Sequence, residues 1–581
     1  MRWREVLAGA AVRHSDKPPE HRIGAGCDRT ESIAEFLSVC VAERTGGDPR
    51  AVPLDRPFSE LGLDSLDLLR LQHHVQSRLH VDLGEGRNSG RGIAALAAEI
   101  AGRPRTVPMT DSGETVGDFP PTAGQRATWF LAQLAPDSSA FHLSTAAEVT
   151  GDLNAEALRR ALTRVAHRHA ALRTSFPVID GEPVQRVHAV LAPAYAGHDA
   201  TTWTDEELAA RLRATAHRPF ELAPGPLVRL ELFHRGPADY RLVLAVHHLV
   251  ADLWSLEILL RELDAAYRHE IGAGPTRQPV AVPGFAAVQP VAVPGFAAVQ
   301  PWIDSRLDAA TVAGAEDFWR TELDGAPTML DLRTDRPRGP RQRFTGGVSR
   351  FHLDATTSAR LAALAHSLGT TLYVVLLCAF QVLLSRTTGQ RDLLVGSPVH
   401  GRSRAETAGT IGPFTTTAVL RARIDPGESF ADLVRRAAVR VPRALDQALL
   451  PLSRLVDELR VPRDPGRPPL VQALFTLQRP TGPPGDALAG FLLGHRESRL
   501  DVGGLDLLPV PLPDGGTRLD LQLTVAEVGG VLGGLLQYDA ELFDAATAER
   551  LSGQFRTLLT AVCEDADRQI GRLPPGPHPP S

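Results

Sequence analysis

The nine residues His247 to Ser255, HHLVADLWS, decide how this chain is read. They set two adjacent histidines at the end of an apolar run and an aspartate four residues after the second. The residues before them, Arg241 to Val246 (RLVLAV), read as a buried strand. Those after, LEILLRELDAAY, repeat apolar side chains at Leu256, Leu260, Leu263 and Tyr267 with helical spacing. The histidines therefore fall at a strand-to-helix turn, where a rigid scaffold can present a side chain to a cleft. Taken alone, the segment reads as an aspartate capping a helix beside two core histidines. The rest of the sequence has to decide.

A second stretch, FSELGLDSLDLLRLQHHV (Phe58 to Val75), opens an amphipathic helix at Asp64 and Ser65, with Leu68, Leu69, Leu71 and Val75 on its apolar face. Helical patterns at Thr30 to Arg44 and Ile93 to Ala101 flank it, enough for a small bundle. Further segments recur in order: TAGQRATWF (Thr122 to Phe130), RHAALRTSF (Arg168 to Phe176), GSPVHGR (Gly396 to Arg402), IGPFTTT (Ile411 to Thr417) and RDPGRPPLVQALFTLQ (Arg463 to Gln478).

Together with HHLVADLWS, which matches HHxxxDG, these segments from about Phe119 to about Pro574 resemble the condensation domain of nonribosomal peptide synthetases, of the chloramphenicol-acetyltransferase-like fold. The upstream stretch resembles the attachment site of phosphopantetheine carrier domains. Its GLDSL wording is closer to polyketide-type carriers than to the usual GGHSL. The resemblance implies a multidomain chain: a small all-α carrier bundle, then an α/β condensation domain of two chloramphenicol-acetyltransferase-like subdomains in a V, with His248 near the middle of a tunnel between them. It also implies covalent 4'-phosphopantetheine on Ser65, whose phosphodiester would meet the partial positive charge and free amides of a helix start.

Composition shifts set the expected boundaries. Residues 1–28 read as a disordered N-terminus; their opening MRWREVLAGAAV only faintly mimics a signal peptide, since Glu5 interrupts its basic region. The carrier spans 29–102, and 103–118 form a linker within a stretch to Pro121 rich in Pro, Thr, Gly and Asp. The condensation subdomains span 119–277 and 303–574, and 575–581 are a tail. The 19 residues from Arg103 to Pro121 would have an r.m.s. span of roughly 25 Å and a reach of about 65 Å, holding the carrier near its neighbour at roughly millimolar effective concentration. Between the subdomains, in 278–302, QPVAVPGFAAV occurs twice without change, at Gln278 to Val288 and Gln289 to Val299. Two copies are too few for a repeat architecture, and the segment reads as a lengthened surface connection.

The 581 residues suffice for several domains, and 43% hydrophobic content for real cores. With 62 basic against 68 acidic residues, nothing marks a nucleic-acid surface. The longest apolar run, Leu372 to Leu384, is too short for a membrane span and reads as a core helix. Cys27, Cys40, Cys378 and Cys563 form neither a disulfide framework nor a metal site, which fits a reducing cytoplasm.

Amide formation needs an amine to attack a thioester carbonyl, and an imidazole of pKa about 6.5 is suited to accept or orient the proton. By its place in the motif the resemblance gives this role to His248, with His247 in support and Asp252 structural, paired with an arginine for which Arg402 is the candidate. Ser255 falls in the first helical turn as a capping residue. No metal is expected. The expected function is transfer of an acyl group from the carrier thioester to an amine, in secondary-metabolite or antibiotic biosynthesis. The alternatives are ester formation with a hydroxyl, or a catalytically silent docking module. Expected partners are a phosphopantetheinyl transferase, an enzyme loading the donor in trans, and an acceptor carrier protein or small molecule. Three positions depart from the family pattern: Leu253 for the glycine after the aspartate, Thr416 for an asparagine, and Ala170 for a glutamate. An epimerisation domain would show SW after the aspartate and EGHGR, where this chain has WS and SPVHGR.

Overall fold

The computed structural model describes residues 29–45, 47–58, 60–63, 65–83, 90–103, 116–273, 294–305, 309–479, 487–512 and 515–574. The expected disordered N-terminus, the tail at 575–581, the middle of the linker and the first copy of the duplicated segment lie outside them.

The carrier region contains three helices, α1 (Arg29–Thr45), α2 (Ser65–Leu79) and α3 (Ile93–Gly102). One stripe from each helix meets in the middle: Ile33, Leu37 and Val41 of α1, Leu71 and Val75 of α2, and Ile93, Leu96, Ala97 and Ile100 of α3. Phe58 and Leu63, just ahead of α2, close the same core. The i, i+3 and i, i+4 spacing of these residues is what makes the segments helical and packs them together.

The rest of the chain is built on two six-stranded sheets. In the first, the strands run in the order 500–502, 505–510, 142–150, 239–247, 228–236 and 194–199. Helices Ala155–Arg168 and Leu253–Glu270 cover it, burying Leu158, Leu162 and Val165 against Leu256, Leu260 and Leu263. The second sheet has the order 346–352, 531–539, 521–528, 473–478, 392–399 and 416–423. Its core includes helices Leu372–Thr388 and Ala545–Glu564, the former buried over most of its length. Among the described residues, no single helix is long and apolar enough to cross a membrane.

Several sequence expectations change. The halves are not contiguous: strand 505–510, in the stretch assigned to the second half, pairs antiparallel with strand 142–150 of the first, Val510 opposite Ala146 and Asp506 opposite Thr150. Its alternation sends Leu505 and Leu507 into the first half's core, a pattern that specifies a strand but not its sheet. Within RHAALRTSF, Ala170–Arg173 form a 3-10 turn and Thr174–Ser175 a two-residue strand. Gly117–Phe119, overlapping the expected linker, pairs with Gln185–Val187. The second copy of the duplicated segment is not a surface connection. From Phe296 it is helical, and Phe296, Ala297 and Val299 are buried. Phe296 stands edge-on to Phe414, and a Cβ at Gly412 would lie 2.3 Å from its ring, so the glycine makes room for this helix.

Candidate active site

Residues Val243 to Val246 are fully buried, which fixes the strand Asp239–His247 and so the point at which the two histidines emerge. The turn is held by its own backbone: His248 N donates to Phe141 O at 2.7 Å and Val250 N to His247 O at 3.0 Å. His247 ends the strand, is 3% exposed and packs among Phe141, His142 and Phe220. Its Nδ1 accepts from Leu249 N at 3.1 Å, which puts the proton of the neutral ring on Nε2. Burial, reinforced by His142, His248 and Arg229, holds its pKa well below the ordinary histidine value.

His248 keeps partial solvent access. Close packing and then the Arg518 guanidinium lower its pKa to about 4, against the opposing pull of Asp252 and of the backbone at His248 and Ala251. The imidazole is therefore neutral at pH 7, with a lone pair available to take a proton.

Asp252 and Ser255 begin the helix that follows. Asp252 is its N-cap, Oδ1 accepting from Ser255 N at 2.8 Å. It is also 1% exposed and meets Arg402, 0% exposed, in a two-pronged pair with Nη1 to Oδ2 at 2.6 Å and Nη2 to Oδ1 at 3.0 Å. Oδ2 further accepts from Phe414 N at 3.2 Å and Thr415 Oγ1 at 3.1 Å. Burial opposes the charge on Asp252, but Arg402 and Ser255 outweigh it and hold the carboxyl below its usual range. Ser255 is more than a cap: its hydroxyl accepts from Arg402 Nη2 at 2.9 Å and Gly412 N at 3.0 Å, with Asp252 Oδ1 at 2.7 Å in reach of its hydrogen. Arg402 also lies over the Phe414 ring at 4.3 Å. The first half's motif and two segments of the second half are thus closed into one buried polar clasp.

Other segments from the sequence converge on the same helix and turn. Gln125 of TAGQRATWF donates to Leu249 O at 3.0 Å, inside the turn. Gln478, the last residue of RDPGRPPLVQALFTLQ, donates to Glu257 Oε1 at 3.0 Å. Leu253 is the first helical residue and partly exposed, so its backbone is one that any residue adopts and glycine's freedom is not needed there. Thr416 opens strand Thr416–Arg423 opposite Val399, and Ala170 is buried in its 3-10 turn.

Sequence reading missed how the carrier sits. The polar face of α2 carries Asp67, Arg70, Gln72, His73 and Gln76, all nearly buried. His73 Nε2 donates to Arg402 O at 2.8 Å, Gln76 Nε2 donates to Glu406 Oε2 at 2.7 Å, and Ala405 N donates to Gln76 Oε1 at 2.9 Å. At the start of the helix, Arg479 lies 3.9 Å from Asp67, which also takes Arg44 at 2.5 Å. A Cβ added at Gly369 would meet Glu60 at 3.9 Å. These polar residues read as a solvated helix face, and no pattern in the sequence marks them as a contact. Helix α2 opens at Ser65, so the first-turn amides that would receive a phosphodiester begin there, and the residues present fit the arm. Among the described residues no group of His, Cys, Asp and Glu could hold a metal ion, and Cys40, Cys378 and Cys563 are free thiols.

Comparison with known proteins agrees with this layout. The family model for the condensation domain matches residues 116–574, and that for the phosphopantetheine attachment site matches 35–90. A linear gramicidin synthase of Brevibacillus parabrevis is 35% identical over 529 residues, 89% of this chain and 10% of that protein. Phosphinothricin tripeptide synthetase PhsB of Streptomyces viridochromogenes is 35% identical over 493 residues, 83% of this chain and 39% of its own length. The chain therefore spans a tenth to two fifths of these relatives. A four-domain nonribosomal peptide synthetase structure shares the fold at TM-score 0.70 and 24% identity, covering 79% of this chain and 34% of that one. The X-domain from teicoplanin biosynthesis matches at TM-score 0.67 and 27% identity, over 80% of this chain and 99% of that one. A phosphopantetheine carrier, which bears its arm on a serine, thus precedes a two-sheet domain clasped around a histidine turn, and the chain belongs to the condensation-domain family of nonribosomal peptide synthetases.

Proposed function

We propose that this chain transfers an acyl group from a thioester on the Ser65 arm to an acceptor amine, with His248 as the base. One observation carries the reading: His248 is neutral and accessible at a turn that the rest of the motif bolts in place. The arm, when attached, supplies the activated thioester. The chain's residues do the remainder. The Asp252–Arg402–Ser255 clasp fixes the helix that follows the turn, His247 packs behind it, and His248 takes the proton of the attacking nitrogen and returns it to the leaving sulfur.

The upstream carrier acts as donor in this reading. Support comes from the contacts of α2 with residues 402–406 and from Arg479, which approaches Asp67 in the first turn of the helix and follows Gln478, itself bonded to the motif helix. An amine of pKa about 7.7 to 8.0 is roughly a quarter deprotonated at about pH 7.3, so positioning alone advances amide formation; a hydroxyl acceptor would lean harder on His248. The carrier calls for a phosphopantetheinyl transferase to install the arm, an activity that loads the acyl group onto it, and an acceptor on a carrier protein or a free small molecule.

A silent docking module is the second reading. It is favoured by likeness to the teicoplanin X-domain, which has been solved in complex with OxyB, and by Leu253 in the glycine position. Mass spectrometry of the intact chain separates the two. A phosphopantetheinyl transferase with coenzyme A should add one arm, lost in Ser65→Ala, and the acylated arm should shed its acyl group to an added amine. An arm retained in Ser65→Ala rejects the attachment site. An acyl group that stays on the arm with every acceptor supports docking.

A further inference from the structure

Arg518 enters the site from the second half and has no part in the clasp. The segment around it is tied down: Thr517 N donates to Phe344 O at 3.2 Å, Gln342 Nε2 donates to Arg518 O at 3.0 Å, and Asp520 takes a two-pronged bond from Arg338. The guanidinium reaches across to the first half and lies 6.0 Å from the centre of the Phe141 ring. Phe141 is the residue whose carbonyl receives His248 N and whose ring stacks on His247. Among the described residues no carboxylate pairs with Arg518. Its side chain is partly exposed although protein surrounds it closely, and burial alone lowers its pKa, leaving it charged at neutral pH.

A closely packed cation without a counter-ion is costly to maintain. The cost has a purpose if an anion forms beside it only during reaction, the arrangement that makes preorganised charge effective in catalysis. Resting on the transfer reaction proposed above, we propose that Arg518 is a catalytic residue whose guanidinium holds the acyl carbonyl oxygen of the donor thioester as it becomes an oxyanion. The amine nitrogen bonds to the acyl carbon and the carbonyl π pair moves onto oxygen, facing Arg518. The nitrogen's proton passes to His248. The pair on oxygen then re-forms the carbonyl, the carbon–sulfur bond breaks, and the leaving thiolate takes the proton back from His248. Close packing, assisted by the same guanidinium, keeps His248 unprotonated before attack and makes its imidazolium a ready acid afterwards.

The test uses the full-length holo chain and an amine acceptor that carries no carboxylate. Arg518→Gln should slow single-turnover transfer by about 10²- to 10³-fold, change the acceptor KM by less than about threefold, and be partly rescued in Arg518→Lys. A loss confined to acceptors bearing a carboxylate, or a rate within about threefold of wild type, would overturn the assignment. Two readouts do not need turnover. The His248 imidazole, followed by NMR, should titrate higher in Arg518→Gln than its wild-type value of about 4. A pantetheine phosphonate mimicking the tetrahedral anion should bind wild type at least ~100-fold tighter than a neutral ketone analogue, and Arg518→Gln should lose that preference. If wild type transfers nothing, the functional reading fails; phosphonate binding then decides Arg518 alone, equal affinity in both proteins rejecting the proposal.

Discussion

Two interfaces meet at Arg402, and they are made of different chemistry. Its guanidinium joins the halves of the condensation domain through Asp252 and Ser255, with residue exposures of 0% for Arg402, 1% for Asp252 and 0% for Ser255. Its backbone carbonyl receives His73 of the carrier, in a contact that also includes the hydrogen bonds of Gln76 and the 3.9 Å approach of Arg479 to Asp67. The first interface buries a charge pair whose partners are useless without each other. The second includes hydrogen bonds of His73 and Gln76, groups that water could satisfy in their place, at about 1 kcal/mol net each for a neutral pair. The difference matches a division of labour: the halves must stay together to keep a site, whereas a carrier must leave to be loaded.

The largest expected effect comes from breaking the clasp. Asp252→Asn or Arg402→Gln alone should cost about 3–5 kcal/mol in denaturant unfolding, since each leaves a charge or its hydrogen-bonding partners stranded. The double variant should cost clearly less than the sum, and additive losses would reject the pair as a coupled unit. Because the folded pKa of Asp252 is depressed, this contribution is complete above the ordinary carboxyl range and is lost only as pH falls through the depressed value.

A smaller effect is expected at the carrier, and it sharpens the contrast. His73→Ala should weaken docking of the holo carrier by about 1 kcal/mol, roughly fivefold, without lowering the unfolding midpoint of the condensation domain. Acid should also separate the two interfaces. Burial lowers His73 to about 4, opposed by the Arg402 carbonyl and Glu406 and assisted by His74. An exposed histidine titrates near 6.5, so docking requires loss of a proton below that value. Occupancy of the docked state, measured by energy transfer between labels on carrier and condensation domain, should fall from about pH 6.5 toward 4 while the clasp persists. Docking that is unchanged across this range, or insensitive to His73→Ala, would remove His73 as the anchor.

What the sequence made legible follows from what its patterns encode. The motif turn could be read because RLVLAV and the Leu256–Leu260–Leu263–Tyr267 stripe announce a strand and a helix by period alone. The carrier bundle was readable for the same reason, from stripes such as Ile33–Leu37–Val41. Pairing across long separations was not. LDLLPV declares a strand at 505–510 but says nothing of joining strand 142–150. Arg402 could be named as a partner for Asp252 through the resemblance, while Gln125, Gln478, His73 and Arg518 are ordinary polar residues until the fold brings them to the turn. The identity of the second repeat copy hid its role, since one of two equal segments becomes core only through the space left by Gly412.

Proton movement by His248 during acyl transfer is tested most directly by single-turnover release from the acylated Ser65 arm, with wild type and His248→Ala compared from pH 4 to 9. A loss of about 10²- to 10⁴-fold is expected in His248→Ala, greater for a hydroxyl than for an amine acceptor. In wild type with an amine, the rate should fall about tenfold per pH unit below the amine's pKa of about 7.7 to 8.0. Titration of His248 adds no break near 6.5, because it stays neutral until about 4; any further fall below 6.5 should follow the measured loss of carrier docking, and with a hydroxyl acceptor the rate per docked carrier should be flat down to about 4. Equal rates for wild type and His248→Ala with both acceptors would contradict a proton-transfer role for His248.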